Sequence, residues 1–126
     1  MADLPEEILQ AWAKRDPVAV FTTVDPGGVP NTIYVSLCEI RPGPRVLIGD
    51  VHFGKTLANL QSGRKEVNFL FYAPDLAAYQ FKGQARYANE GELFEEGQCL
   101  KKPEFELRGI VEIQVSEAYK GSERLL

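Results

Sequence analysis

The residues best suited to chemistry are Gly49 to Thr56, GDVHFGKT. Two glycines separated by four residues, the second followed by lysine and threonine, make the pattern G-x-x-x-x-G-K-[ST]. The apolar run Arg45–Ile48 before it reads as a strand, and KTLANLQSG after it as a short helix. Backbone N–H groups left free at a helix start, the positive end of its dipole and a lysine would then converge on one point, which is an anion site. Two ligands suit that chemistry: a nucleoside triphosphate in a P-loop, or the phosphate tail of a cofactor. A third reading is a surface lysine beside an N-capping threonine.

The rest of the chain must position that loop. Its 126 residues predict one domain, 1–126, with an ordinary globular balance of 44% hydrophobic and 25% charged residues. A net charge of −4 and 14 dispersed basic residues argue against nucleic acid as a partner, which needs clustered Lys and Arg. Cys38, Cys99 and the single His52 have no metal-binding spacing, so no metal site and no disulfide framework are predicted. Reduced thiols, the absence of a secretory signal in MADLPEEILQAW and the lack of an ~18-residue apolar run together predict a cytoplasmic protein with no membrane segment.

An amphipathic helix is predicted over 4–15, with Leu4, Ile8, Leu9 and Trp12 on one stripe and Asp16-Pro17 ending it. The period then changes to two. Strands are predicted from Val18 to Val24, over 29–41, over 45–49 and over 67–73. The clearest alternation, Tyr79 to Tyr87, makes another, with Gly83 marking a bend or a close approach, and 107–116 makes the last. Asp25-Pro26-Gly27-Gly28, Arg41-Pro42-Gly43-Pro44 and Ala73-Pro74-Asp75 are turns, so neighbouring strands should be antiparallel hairpins. Further helices are predicted over 56–62 and 91–101. The result is a mainly β protein of about six strands and three short helices, whose sheet edges disappear if it closes into a barrel.

That architecture weighs against a P-loop. A P-loop strand belongs to a parallel sheet reached through long helical crossovers. Here the connections are hairpins, the helix is two turns long, and Val51, His52 and Phe53 are bulky where a loop must wrap phosphates. Asp75, the one imaginable partner acid, follows a turn proline. A single phosphomonoester held by Lys55, Thr56 and nearby amides, with an apolar slot for its other end, is the better reading.

Pro30-Asn31-Thr32, Arg45-Val46-Leu47-Ile48-Gly49 and Gly54-Lys55-Thr56-Leu57-Ala58-Asn59-Leu60, in that order and spacing, resemble the FMN-binding split-barrel proteins related to pyridoxamine 5′-phosphate oxidase. Within that group the small bacterial FMN-binding protein is most similar, over roughly residues 4–117. The resemblance implies a six-stranded antiparallel Greek-key split β-barrel that forms a homodimer with two FMN molecules at its interface. It implies that Lys55 and Thr56 bind the phosphate, helped by Asn31 and Thr32, that Ile33 packs near the ring or ribityl chain, and that the backbone of Ile48 and Gly49 runs along the isoalloxazine edge. Without the family, Ile33 and Ile48 read equally as core. The family also has members that bind deazaflavin or haem.

Departures from the family pattern carry their own expectations. The small FMN-binding protein has an aromatic residue where this chain has Ile33. The oxidases have a glutamine near Ala78 and a basic C-terminal segment that YKGSERLL does not reproduce. Oxidation of pyridoxine phosphate is therefore not expected. His52, Asp50, Tyr34 and Cys38 are the titratable groups near the loop, none with a partner at catalytic spacing, so the catalytic residues stay unassigned. The implied function is an FMN-dependent oxidoreductase acting on a small molecule, with a non-catalytic electron carrier as the alternative and a P-loop phosphohydrolase as a distant one.

Overall fold

A computed structural model describes residues 3–74 and 77–126. The turn residue Asp75 lies outside them. The first helix, α1 (Glu6–Ala13), buries Ile8, Ala11 and Trp12. It is shorter than the predicted span because Pro5 sits in an extended conformation before it (φ −57°, ψ 149°) and Lys14 has already left helical geometry. Asp16 then starts the sheet region, donating its backbone N–H to the Tyr72 carbonyl at 2.8 Å.

The strands are β1 (Ala19–Val24), β2 (Pro30–Val35), β3 (Cys38–Arg41), β4 (Arg45–Asp50), β5 (Glu66–Ala73), β6 (Ala77–Ala88), β7 (Gly109–Lys120) and the two-residue β8 (Glu123–Arg124). Helix α2 (Lys55–Gln61) joins β4 to β5; α3 (Glu92–Glu96) and a 3-10 turn, Gly97–Leu100, join β6 to β7. The strands form one sheet in the order β2-β1-β5-β6-β7-β4-β3, with β8 added to β7. Every pairing among the described strands is antiparallel. This is the mainly β, antiparallel split barrel expected, with eight strands in place of six.

Part of the difference lies in the stretch 29–41, predicted as one strand. It is two, broken at Ser36 and Leu37, and they occupy opposite ends of the sheet order. From Val35 to Cys38 the chain spans at most about 11 Å, so the two edges must curl to within that distance. The inward parity reverses at the break: Ile33 and Val35 of β2 face the barrel core, whereas on β3 Cys38 and Ile40 do, and Leu37 turns to the second cluster on the other face of β4. The short tail strand β8 supplies the rest.

Inside the barrel Phe21, Phe69, Phe71, Tyr79 and Phe81 pack with Val46, Ile48, Val111 and Ile113. Phe71 and Tyr79 stack at 5.2 Å, and Trp12 from α1 meets Phe71 edge-on at 5.0 Å. A second cluster, Leu37, Leu47, Leu93, Leu100, Leu107 and Ile110, lies on the other face of β4 under α3 and the 3-10 turn. The register of β6 on β7 shifts between Lys82 and Gly83. A Cβ on Gly83 would overlap the Gln114 carbonyl oxygen, so the bulky neighbour expected at this glycine is the β7 backbone itself.

Candidate functional site

A cavity of about 510 Å³ opens where β2 gives way to β3, facing the β4–α2 loop. Asn31, Lys55 and Thr56 make one end polar; Ile33, Leu37, Val51, Phe53 and Phe105 line the rest. The alternation of β2 explains the first contributions. Asn31, Ile33 and Val35 face inward, whereas Thr32 faces out and shares a 2.9 Å hydrogen bond with Thr22 across the hairpin.

At the polar end the Asn31 amide donates to the Thr56 hydroxyl at 3.1 Å. Thr56 is only 1% exposed. Its oxygen holds Asn31 while its own proton remains free to be donated. One turn on, the Asn59 amide donates to Thr23 at 3.0 Å, so two polar contacts seat α2 on the β1–β2 hairpin. Helix α2 has seven residues and no side-chain cap, so its dipole adds little and Lys55 is the cation at the rim. The Lys55 side chain is 58% exposed, with Nζ 3.9 Å from Asp25 Oδ2.

The loop is held from beneath by Asp50, which is wholly buried. Its Oδ1 accepts the Phe53 N–H at 2.8 Å and its Oδ2 accepts the Tyr87 hydroxyl at 2.6 Å. Arg108 donates to both oxygens, at 3.1 and 3.3 Å, and to the Phe53 carbonyl at 2.8 Å. Burial and the adjacent Asp50 push the Tyr87 phenol well above its usual range. Asp50 is thus a structural carboxylate with both oxygens engaged. The Phe53 amide turns inward to it, which is the reverse of an amide cradling phosphate.

Asn31, Ile33, Gly49, Lys55 and Thr56 converge on this cavity. Thr32 does not, and Ile48 is fully buried with its side chain in the barrel core. The Ile48–Gly49 backbone, expected to run along the isoalloxazine edge, is paired here: Cys38 of β3 pairs with Ile48, and the Gly49 N–H donates to the carbonyl of Leu37, just before β3, at 2.8 Å. Gly49 borders the cavity, and on its other side an added Cβ would lie 2.7 Å from Leu107 Cδ1 in the second apolar cluster. Of the titratable residues, His52 and Tyr34 sit at the rim. Cys38 is buried and its thiol is pushed up to about 11 by desolvation. The P-loop alternative loses its frame, since β4 is antiparallel to both neighbours.

Phe105 is a lining residue that the motifs do not point to. It lies between the last helical turn and β7, 42% exposed, and its one signal is an aromatic residue isolated in the charged run KKPEFELR. Arg108 and Tyr87 are legible only through register, because β4 ends at Asp50 directly opposite Gly109, and Tyr87 pairs with Val111.

The sequence profile of pyridoxamine 5′-phosphate oxidase matches residues 4–120. The chain belongs to the pyridoxamine 5′-phosphate oxidase family. An uncharacterised protein of Methanocaldococcus jannaschii is 30% identical over 121 residues, 92% of this chain and 79% of that protein. HupZ of group A Streptococcus superposes with a TM-score of 0.83 at 18% identity, covering 98% of each chain. An FMN-binding protein from Syntrophomonas wolfei gives 0.66 at 18% identity over 89% of this chain and 81% of that one. HutZ, the haem storage protein from Vibrio cholerae, gives 0.67 at 16% over 94% and 95%. At such identities the structures establish the shared fold of this family member and nothing narrower. No helix among the described residues is long and apolar enough to cross a membrane.

Proposed function

We propose that this family member is an FMN-binding flavoprotein, acting as an oxidoreductase on a small molecule. The observation that carries the reading is the two-ended cavity, with Lys55, Asn31 and Thr56 at one end and Ile33, Val51, Phe53 and Phe105 beyond. That donor set fits a phosphate monoester attached to a flat apolar ring. Lys55 supplies charge, Asn31 is orientated by Thr56, and the apolar walls exclude water from the ring. Bound FMN would supply the electron-transfer chemistry, while the protein supplies position and electrostatics. A binding role for the FMN-binding relative from Syntrophomonas wolfei supports the same assignment.

The reading includes a homodimer. Val18, Tyr34, Leu70 and Tyr72 are 41%, 79%, 39% and 51% exposed on the outer face of the sheet. They line one shallow apolar groove, and Tyr34 also belongs to the cavity rim. A second copy covering that groove would close the cavity mouth. Non-catalytic electron carriage is the alternative, favoured by the lack of an acid–base pair: Asp50 is engaged, Cys38 is buried, and His52 has no hydrogen-bonded partner side chain among the described residues. His52, the single histidine, at an apolar rim also supports a haem reading, in line with the haem storage relative from Vibrio cholerae.

Titration of the purified protein with FMN, riboflavin and haemin, followed by flavin fluorescence and by the haem Soret band, tests the assignment. FMN bound more tightly than riboflavin, with no saturable haem site, is the expected result. A histidine-ligated haem spectrum lost in His52→Ala would replace it. NAD(P)H-driven reduction of bound FMN, followed by multiple turnovers with an organic acceptor, would separate enzyme from carrier.

A further inference from the structure

We propose that Asp25 is a resident competitor for Lys55, which lowers the affinity of the cavity for an anionic phosphate ester. The inference rests on the preceding reading, in which the ligand's phosphate meets Lys55.

Asp25 follows β1 and is fixed from several sides. Its Oδ1 accepts the Val29 N–H at 2.9 Å, its own N–H donates to the Val29 carbonyl at 3.0 Å, and its carbonyl accepts the Gly28 N–H at 3.0 Å. Arg64 donates to that same carbonyl at 3.3 Å. The remaining carboxylate oxygen, Oδ2, faces Lys55 Nζ at 3.9 Å, outside hydrogen-bond length. The Val29 N–H holds the Asp25 carboxyl below the usual carboxylate range, so the group stays charged. The two partners are therefore unequal. Asp25 is locked in a turn with its side chain 20% exposed, while Lys55 swings on a flexible stem with 58% of its side chain exposed.

Asp25 does not line the cavity, whereas Lys55 does. An entering anion must draw the ammonium away from the carboxylate or share it, and in either case Asp25 remains a negative charge behind the lysine. That standing charge repels the anion and holds part of the ammonium's attraction, so the cavity binds anions less tightly than Lys55 alone would allow.

The test is a double-mutant cycle on the full chain: wild type, Asp25→Asn, Lys55→Ala and the double variant, each titrated with FMN and with riboflavin. Asp25→Asn keeps an oxygen for the Val29 N–H and removes only the charge; Asp25→Ser removes the charge with a different acceptor and guards against a folding defect in the first variant. Both neutral variants should bind FMN about two- to fivefold tighter, leave riboflavin unchanged, and lose the gain when Lys55 is absent. Unchanged or weaker FMN binding in both would make Asp25 a positioning residue for Lys55 and overturn the proposal, as would a gain that persists without Lys55. If Lys55→Ala alone leaves FMN affinity unchanged, the phosphate reading itself fails and takes this proposal with it.

Discussion

Arg108 and Asp50 join the two ends of the cavity loop: one guanidinium nitrogen lies 3.1 and 3.3 Å from the two oxygens of a wholly buried carboxylate. The same nitrogen reaches the Phe53 carbonyl at 2.8 Å, and Asp50 takes the Phe53 N–H, so the loop is clipped at both polar groups of one residue. Removing the carboxylate leaves the Tyr87 hydroxyl and the Phe53 N–H without their acceptor and Arg108 without its counter-charge. Asp50→Leu should therefore destabilise the fold by about 2–4 kcal/mol, and Tyr87→Phe by about 1 kcal/mol. Urea unfolding measures both, and a loss under about 0.5 kcal/mol for Asp50→Leu would remove the clip from the account.

The two ends of the cavity should be separable. Lys55→Ala should weaken FMN by about 1–3 kcal/mol and spare riboflavin. Phe105→Ala, which strips an aromatic wall 42% exposed, should weaken both ligands by about 1 kcal/mol. Fluorescence titration reads both. A Phe105→Ala effect confined to FMN would place the ring elsewhere.

The outer groove makes a separate prediction. Leu70→Asp places a charge in the middle of Val18, Tyr34 and Tyr72, well away from the core. It should shift the protein towards monomer in sedimentation velocity, leave secondary structure intact by circular dichroism, and weaken FMN through the uncovered mouth. A variant that sediments as the wild type, in any state, would exclude this face as the dimer contact.

Thiol chemistry should divide the cysteines. Cys99 is exposed, with Arg41 Nη2 2.9 Å from its sulfur, whereas Cys38 is buried with its thiol pushed up to about 11. A raised pKa leaves the thiol protonated below it, so at pH 8 about one Cys38 in a thousand carries the reactive thiolate. Native protein should titrate with one fast thiol per chain and denatured protein with two. Two fast thiols in the native state would mean that the barrel opens readily near β3.

At the β6 bulge, Gly83→Ala must displace the Gln114 carbonyl, a backbone atom that cannot rotate aside. A loss of about 1–3 kcal/mol is expected. A neutral substitution would show that the two strands part more easily at the bulge than this close approach implies.

Much of this fold is legible in the residues. The period-two runs locate the strands, the Pro-Gly turns make them hairpins, and GDVHFGKT with Asn31 marks the polar end of the cavity. Such signals are local, because alternation and turn chemistry depend on near neighbours in sequence. Asp50 shows the limit of such signals: it reads only as a titratable group near the loop until register brings Tyr87 and Arg108 to it.

By itself, then, the sequence determined the mainly β class, the antiparallel pairing, and the chemistry that Lys55, Thr56 and Asn31 can offer. Only the tertiary structure decided that 29–41 is two strands on opposite edges, that β3 and Leu37 pair the Ile48–Gly49 backbone, that Thr32 faces outward, and that Phe105 and Asp25 stand near the cavity's apolar wall and its lysine. These are consequences of closure. A curling sheet brings together residues far apart in sequence, and no local pattern encodes which edge meets which until the barrel is shut.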